Sequence, residues 1–110
     1  MISDERVIES LSCGIPLHDF GTHNWALTRE QALQAIGELE LMNVPILGGD
    51  VVEIDKGKIE FNYDNWHCDL NDGELKRAYV SRSAICARHY IVEYDDTKSS
   101  RAHFVLVPGD

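Results

Sequence analysis

From residue 28 the apolar positions recur at helical spacing. Ala32, Ala35, Ile36, Leu39 and Met42 fall on one side of a helical wheel, and Glu30, Gln34 and Glu38 fall opposite. Thr28 and Gln31 have the spacing of a capping box, in which each side chain satisfies an orphan backbone N–H of the other residue. Asn43 and Pro45 end this helix, because a proline pushes the residue before it out of the helical region. A shorter run, Val7, Ile8 and Leu11, predicts a first helix from Asp4 to Ser12, capped by Ser3 and stopped by Gly14 and Pro16. Residues 14–24 read as loop.

The period then changes to two. Val52 and Ile54 alternate with Glu53, and Ile59 and Phe61 with Lys58 and Glu60. This predicts a hairpin of residues 50–54 and 58–62, turning at Asp55-Lys56-Gly57. Val44 to Leu47 reads as a short strand leading in, and Gly48-Gly49 permits a sharp change of direction. After a polar turn over Thr97–Arg101, the run His103–Val107 predicts a third strand. It should pair with the hairpin, which alone would be marginal in water.

Between them, Asn71 or Asp72 can cap a long helix over residues 73–95. It carries two apolar stripes. Leu75, Ala78, Tyr79, Ile85, Cys86, His89 and Val92 form the first, and Val80, Ala84, Ala87 and Ile91 the second. Such a helix is expected to lie centrally in the fold or to carry an interface. The fold class is α+β: a small, mostly antiparallel sheet, hairpin plus C-terminal strand, packed against two main helices and a short N-terminal one. At 110 residues, one domain spanning 1–110 is expected.

Charge narrows the partners. Nineteen acids against ten Lys and Arg give a formal net charge of −9. The field disfavours nucleic acid and anionic membranes and favours a basic protein surface. The acids are concentrated. Residues 50–74 hold Asp50, Glu53, Asp55, Glu60, Asp64, Asp69, Asp72 and Glu74 against Lys56 and Lys58, whereas the residues after 74 are net basic. Within the acidic segment Trp66 reads as an aromatic anchor ringed by carboxylates. The partner-binding residues expected from sequence are therefore Asp50, Glu53, Glu60, Asp64, Trp66, Asp69, Asp72 and Glu74. Trp25, just before a capped helix, reads as sealing the core.

Candidate chemistry changes this picture little. Cys13, Cys68 and Cys86 are odd in number and form no C-x-x-C pair, which reads as reduced cytosolic thiols. Met1-Ile2-Ser3-Asp4-Glu5 lacks the order of a signal peptide, and no apolar run approaches a membrane span, so a cytoplasmic location is expected. Cys86 and His89 stand at i, i+3, but no second ligand pair appears at zinc spacing. No phosphate loop or nucleophile elbow is present, and Gly48-Gly49 is followed by an acid. No cofactor, metal or catalytic residue is assigned. Arg82 falls inside the first apolar stripe, where it either snorkels its head to solvent or pairs with Asp50 or Asp64, since an unpaired charge there is costly.

Three segments, Asn24-Trp25-Ala26-Leu27-Thr28, Val44-Pro45-Ile46-Leu47-Gly48-Gly49-Asp50-Val51 and Tyr63-Asp64-Asn65-Trp66, resemble in order and spacing the immunity protein 40 family of bacterial polymorphic-toxin systems. The resemblance implies an antidote that binds the C-terminal domain of a cognate secreted toxin, without turnover. Toxin domains that act on nucleic acid tend to be basic, which an acidic cover would match. Two alternatives stay open. One is a homodimeric regulatory domain joined through Val80, Ala84, Ala87 and Ile91. The other is a small hydrolase using His67, Cys68 or Asp69.

Overall fold

The computed structural model describes residues 4–95 and 101–110. In chain order the elements are α1 (Glu5–Leu11), β1 (Ile15–Pro16), a 3-10 turn (His18–Phe20), β2 (Trp25–Ala26), α2 (Arg29–Leu41), β3 (Ile46–Asp55), β4 (Lys58–His67), α3 (Lys76–Glu93) and β5 (Ala102–Pro108). This is the expected α+β fold.

α2 begins as its sequence dictates. Thr28 Oγ1 accepts from Gln31 N at 3.2 Å, and Gln31 Oε1 accepts from Thr28 N at 3.0 Å. Past its end Asn43 takes a positive φ of 59°. Asn43 N then donates to Glu40 O at 3.0 Å and Val44 N to Leu39 O at 2.9 Å, so Asn fills the left-handed position that glycine usually holds. α1 is one residue shorter at each end than expected. Its cap is Asp4, whose Oδ1 accepts from Arg6 N at 2.9 Å. The expected cap, Ser3, lies outside the described residues, as do residues 97–100 of the expected polar turn.

The hairpin is longer than its alternating core. β3 and β4 are antiparallel over ten residues each, joined at Lys56-Gly57 with φ of 50° and 82°. Two positive φ values in a two-residue turn match the right-handed twist of the strands. β5 pairs antiparallel on the other side of β3, which makes the order β4-β3-β5 and places the third strand where expected. Gly48-Gly49 makes no turn; β3 continues through both, with a register shift against β5 between Ile46 and Gly48. The glycines are there for closeness. A Cβ at Gly49 would lie 2.6 Å from Trp66 Cζ3 and would also run into Val105 O, and one at Gly48 would strike Trp66 O. The indole of Trp66 occupies that space.

Successive strand residues face opposite sides of a sheet, and both faces of β3 are used. Val51, with Phe104 and Leu106 of β5 and Trp66 of β4, packs against Ala32, Ile36 and Leu39 of α2 and Ala84, Ala87 and Ile91 of α3. Val52 and Val105 instead meet Leu17 and Ala26 from the segment read as loop. That segment is ordered by β1–β2 pairing and by Asn24, which the periodicity could not reveal because each strand has two residues. Asn24 Nδ2 donates to Leu106 O at 2.9 Å and its Oδ1 accepts from Trp25 N at 2.8 Å. Leu27 closes the outer edge of β5 by exchanging hydrogen bonds with Phe104. Half-buried Trp25 packs on the main core.

α3 starts at Lys76, not near residue 73. Asn71 and Glu74 close a turn of their own, with Glu74 N donating to Asn71 O at 3.0 Å and Asn71 N to Glu74 Oε1 at 3.1 Å. Leu75 is then extended and offers the helix no side-chain cap. Nor is α3 central. Its second stripe is buried, Ala84, Ala87 and Ile91 in the core shared with the sheet and α2 and Val80 at 3% exposure, so a homodimer through those residues is excluded. The first stripe divides. Tyr79 is buried, Cys86 is half-buried, and Leu75, Ala78, Ile85, His89 and Val92 face solvent. No helix among the described residues is long and apolar enough to cross a membrane.

Glycine substitutions separate closeness from mere flexibility. Gly49→Ala should lower stability by about 1–3 kcal/mol through overpacking against Trp66. Gly37→Ala, in α2 with open space around it, should raise stability by roughly 0.5–1 kcal/mol. Urea unfolding measures both, and a Gly49→Ala protein as stable as the wild type would contradict the slot described for Trp66.

Candidate partner-binding face

β4 is the open edge of the three-stranded sheet, and its middle departs from a regular ladder. Asp50 pairs with Asn65 and Val52 with Phe61. Val51 is therefore faced by three residues, Asn62, Tyr63 and Asp64, two more than a regular ladder allows. Tyr63 sits at the crest with a φ of 66° and is 86% exposed. Left-handed backbone is unfavourable for a bulky residue, by about 1–2 kcal/mol, and persists where the surroundings over-determine it.

Those surroundings are specific. Asn62 Oδ1 accepts from Asp64 N at 3.0 Å, and Asn65 Nδ2 donates to Tyr63 O at 2.9 Å. From the end of α3, Tyr94 Oη accepts from Asn62 Nδ2 at 3.0 Å and donates to Asp64 Oδ2 at 2.7 Å. Burial first, and then the hydrogen bond to the Asp64 carboxylate, push the Tyr94 phenol up to about 12. Tyr94 is itself fixed. Its carbonyl accepts from Arg29 Nη2 at 3.2 Å, and its ring meets Phe104 edge-on at 5.6 Å.

The eight residues expected at the partner surface do not gather at one point. Asp64 lies in the bulge and Asp50 at its edge, paired with Asn65. Glu53 and Glu60 lie directly opposite each other near the hairpin tip, a like-charged pair that is unfavourable in isolation, with Lys58 Nζ 3.4 Å from Glu60. Asp69 and Asp72 are exposed beyond the end of β4. Trp66 is 7% exposed and stacks on Tyr90 at 4.6 Å, so its ring lies in the core and not at the surface. The aromatic residue of the acidic segment that faces solvent most fully is Tyr63, which the pattern did not single out. The run Asn62-Tyr63-Asp64-Asn65 carried the signal, because Asn and Asp are depleted in regular strands and favour turns and left-handed backbone.

Glu74 is engaged elsewhere. Its two carboxylate oxygens accept from Arg82 Nε and Nη2 at 2.8 and 2.7 Å, while Arg82 also reaches Asp69 O at 2.5 Å and Cys68 Sγ at 3.1 Å. Arg82 thus pairs with Glu74 and not with Asp50 or Asp64. The Asn71–Glu74 turn folds that carboxylate back beside the first turns of α3.

The bulge, the glycine slot and the Asn24 clasp are built from the same three segments that gave the resemblance, and the family model for immunity protein 40 matches residues 16–108. The chain belongs to the immunity protein 40 family. No curated protein and no solved structure matches it.

Membership makes the chain an immunity protein against a toxin. In this immunity protein His67, Cys68 and Asp69 are not gathered in one groove. His67 and Asp69 are exposed while Cys68 between them is buried. A groove of about 350 Å³ takes in His67 without the other two, and one of about 520 Å³ takes in Asp69 alone of the three. Burial pushes the Cys68 thiol up, away from the thiolate a nucleophile needs. Among the described residues no group of three or more His, Cys, Asp or Glu is placed to hold a metal ion.

The Arg82 pair gives a pH signature. Hydrogen bonds from Arg82, then from the backbone of Asn71, hold the Glu74 carboxyl down to about 2, against an ordinary 4.5. A depressed carboxylate stabilises the fold fully above the unfolded value and loses that contribution as pH falls from 4.5 towards 2. Carboxyl NMR should find Glu74 titrating near the bottom of the acidic range, and Arg82→Met should return it towards the ordinary value. A wild-type Glu74 that titrates normally would show that the pair does not hold in solution.

Proposed function

We propose that this cytoplasmic immunity protein neutralises the C-terminal domain of a cognate toxin by docking a basic surface of that domain along β4. Tyr63 is the anchor, and Asp50, Asp64 and Glu60 are the surrounding carboxylates. One observation carries the reading: a tyrosine held out at 86% exposure on left-handed backbone, at the crest of a bulge that Asn62, Asn65 and Tyr94 fasten through hydrogen bonds. Tyrosine is enriched among residues that dominate binding energy. The acids around it supply the field that speeds encounter with a cation-rich surface and aligns it. The anchoring role expected of Trp66 passes to a neighbour three residues earlier.

A nuclease domain would present such a basic surface, since its substrate is a polyanion. An interface of standard size takes about 800 Å² from each partner, out of 6799 Å² accessible on this chain. Five of the eight acids of residues 50–74, Glu60, Asp64, Asp69, Asp72 and Glu74, lie on β4 and the turn that follows it, so the contact need not extend onto the helices. A bulge and charges on an edge strand also keep strands of other molecules from pairing there. That purpose needs no exposed aromatic ring, and a lysine would serve it better.

The test is co-expression with the toxic domain encoded beside this chain. Cells should survive only when the immunity protein is present. Tyr63→Ala should weaken binding by roughly 30-fold, and Tyr94→Phe, which unfastens the bulge, should weaken it less. Replacing Asp50, Glu60 and Asp64 by their amides should slow association and flatten its dependence on salt. Killing that proceeds equally with and without the chain would refute the antidote role. Full affinity in Tyr63→Ala would move the interface away from β4.

A further inference from the structure

Two of the three thiols meet. Cys68 lies just past the end of β4 and is buried, Cys86 lies on α3 and is half-buried, and Cys13, after α1, is exposed. The Cys68 thiol is hydrogen-bonded to that of Cys86. Spacing along the chain could not foretell this, because the two belong to different elements.

Cys68 is held there by its backbone. Its N–H donates to Leu47 O at 2.9 Å, and its carbonyl accepts from Tyr79 Oη at 2.5 Å. Tyr79, Arg82 and Cys86 follow one another along α3 at spacings of three and four and so share one face of the helix. The end of β4 is laid along that face, and the two sulfur atoms are brought together before any bond joins them. Reacting groups placed in this way behave as if at high concentration.

Packing alone does not account for the third member of the cluster. Two buried thiols can serve as small apolar groups. Yet Arg82 Nη1 donates to Cys68 Sγ at 3.1 Å, while its Nε and Nη2 hold Glu74. A guanidinium in that place stabilises a sulfur anion and repels the metal cation that two adjacent thiols would otherwise attract. At rest, burial outweighs the guanidinium and the Cys68 thiol keeps its proton. The cation matters when that sulfur carries charge.

We propose that Cys68 and Cys86 form a reversible disulfide, with a low-molecular-weight disulfide such as that of glutathione as the oxidant. Half-buried Cys86 meets the reagent first. Having lost its proton to water, its sulfur attacks one sulfur of the small disulfide and expels the other as a thiolate. Cys68 then gives its proton to water, and its sulfur, held beside Arg82, attacks Cys86 Sγ and expels the second half of the reagent. The two protein thiols together lose two electrons and two protons, and the reagent, its S–S bond broken, leaves as two thiols. A dithiol reverses both steps. The bond closes the chain from residue 68 to residue 86. That stretch includes the start of α3, whose cap residue makes no side-chain hydrogen bond, so the crosslink fastens a helix start that the sequence leaves uncapped. None of Tyr63, Asp50, Glu60 and Asp64 takes part, and the proposal does not depend on the toxin-binding reading.

Cys13→Ser removes the exposed thiol and leaves the pair. Treated with glutathione disulfide and quenched in acid, that chain should lose two hydrogens in intact-mass measurement, and peptide mapping should place the bond between residues 68 and 86. Its melting temperature should rise by roughly 10 °C and fall back when dithiothreitol is added. In the same background Arg82→Met should slow closure by roughly threefold to tenfold, so that a glutathione adduct accumulates on Cys86. An unchanged rate would overturn the part given to Arg82. The pair itself is decided in the Cys13→Ser chain, whether or not the Arg82→Met chain folds. A chain that stays reduced while its unfolded form reacts, a glutathione adduct that never closes, or a crosslinked protein that melts below the reduced one would overturn the proposal.

Discussion

The indole of Trp66 joins the parts of this molecule. It lies over Gly49, stacks on Tyr90 of α3, and belongs to the core shared by α2, α3 and β5. Burying about 200 Å² of aromatic surface at about 25 cal/mol per Å² is worth about 5 kcal/mol. Its ring nitrogen finds no acceptor among the described residues, which costs about 1–3 kcal/mol. The area term wins, so a hydrogen bond goes unmade to keep the ring where the layers meet.

The bulge follows from that placement. The Lys56-Gly57 turn sets Asp55 against Lys58, and the slot sets Gly49 against Trp66. Counted back from the turn, β4 needs two more residues than β3 to meet both conditions. The excess is put out at Asn62–Asp64, and Tyr63 goes with it. One packing requirement therefore yields both a buried aromatic residue and an exposed one on the same strand.

Much of the architecture was legible because it rests on local rules. The Thr28–Gln31 cap, the hairpin turn and the C-terminal strand each follow from spacing within a few residues. What stayed hidden depended on contacts distant in sequence. Nothing near Gly48-Gly49 says that an indole from residue 66 will lie on it, so a slot reads as a bend. Nothing in residues 14–24 says that Asn24 will clasp Leu106. Arg82 found an acid eight residues earlier because a short turn doubled back, which a helical wheel cannot draw. The acidic segment was visible as composition, but which of its aromatic residues faces outward was decided by the ladder and not by the alternation.

Tyr94 does two things at once. Its phenol fastens the bulge, and its carbonyl is clamped, with those of Ile91 and Val92, by Arg29 at the start of α2. The crest of β4 is thereby tied to the ends of two helices and is not a free-swinging loop. Whatever backbone freedom Tyr63 gives up is surrendered when the chain folds, so the main chain of the crest is already set in shape.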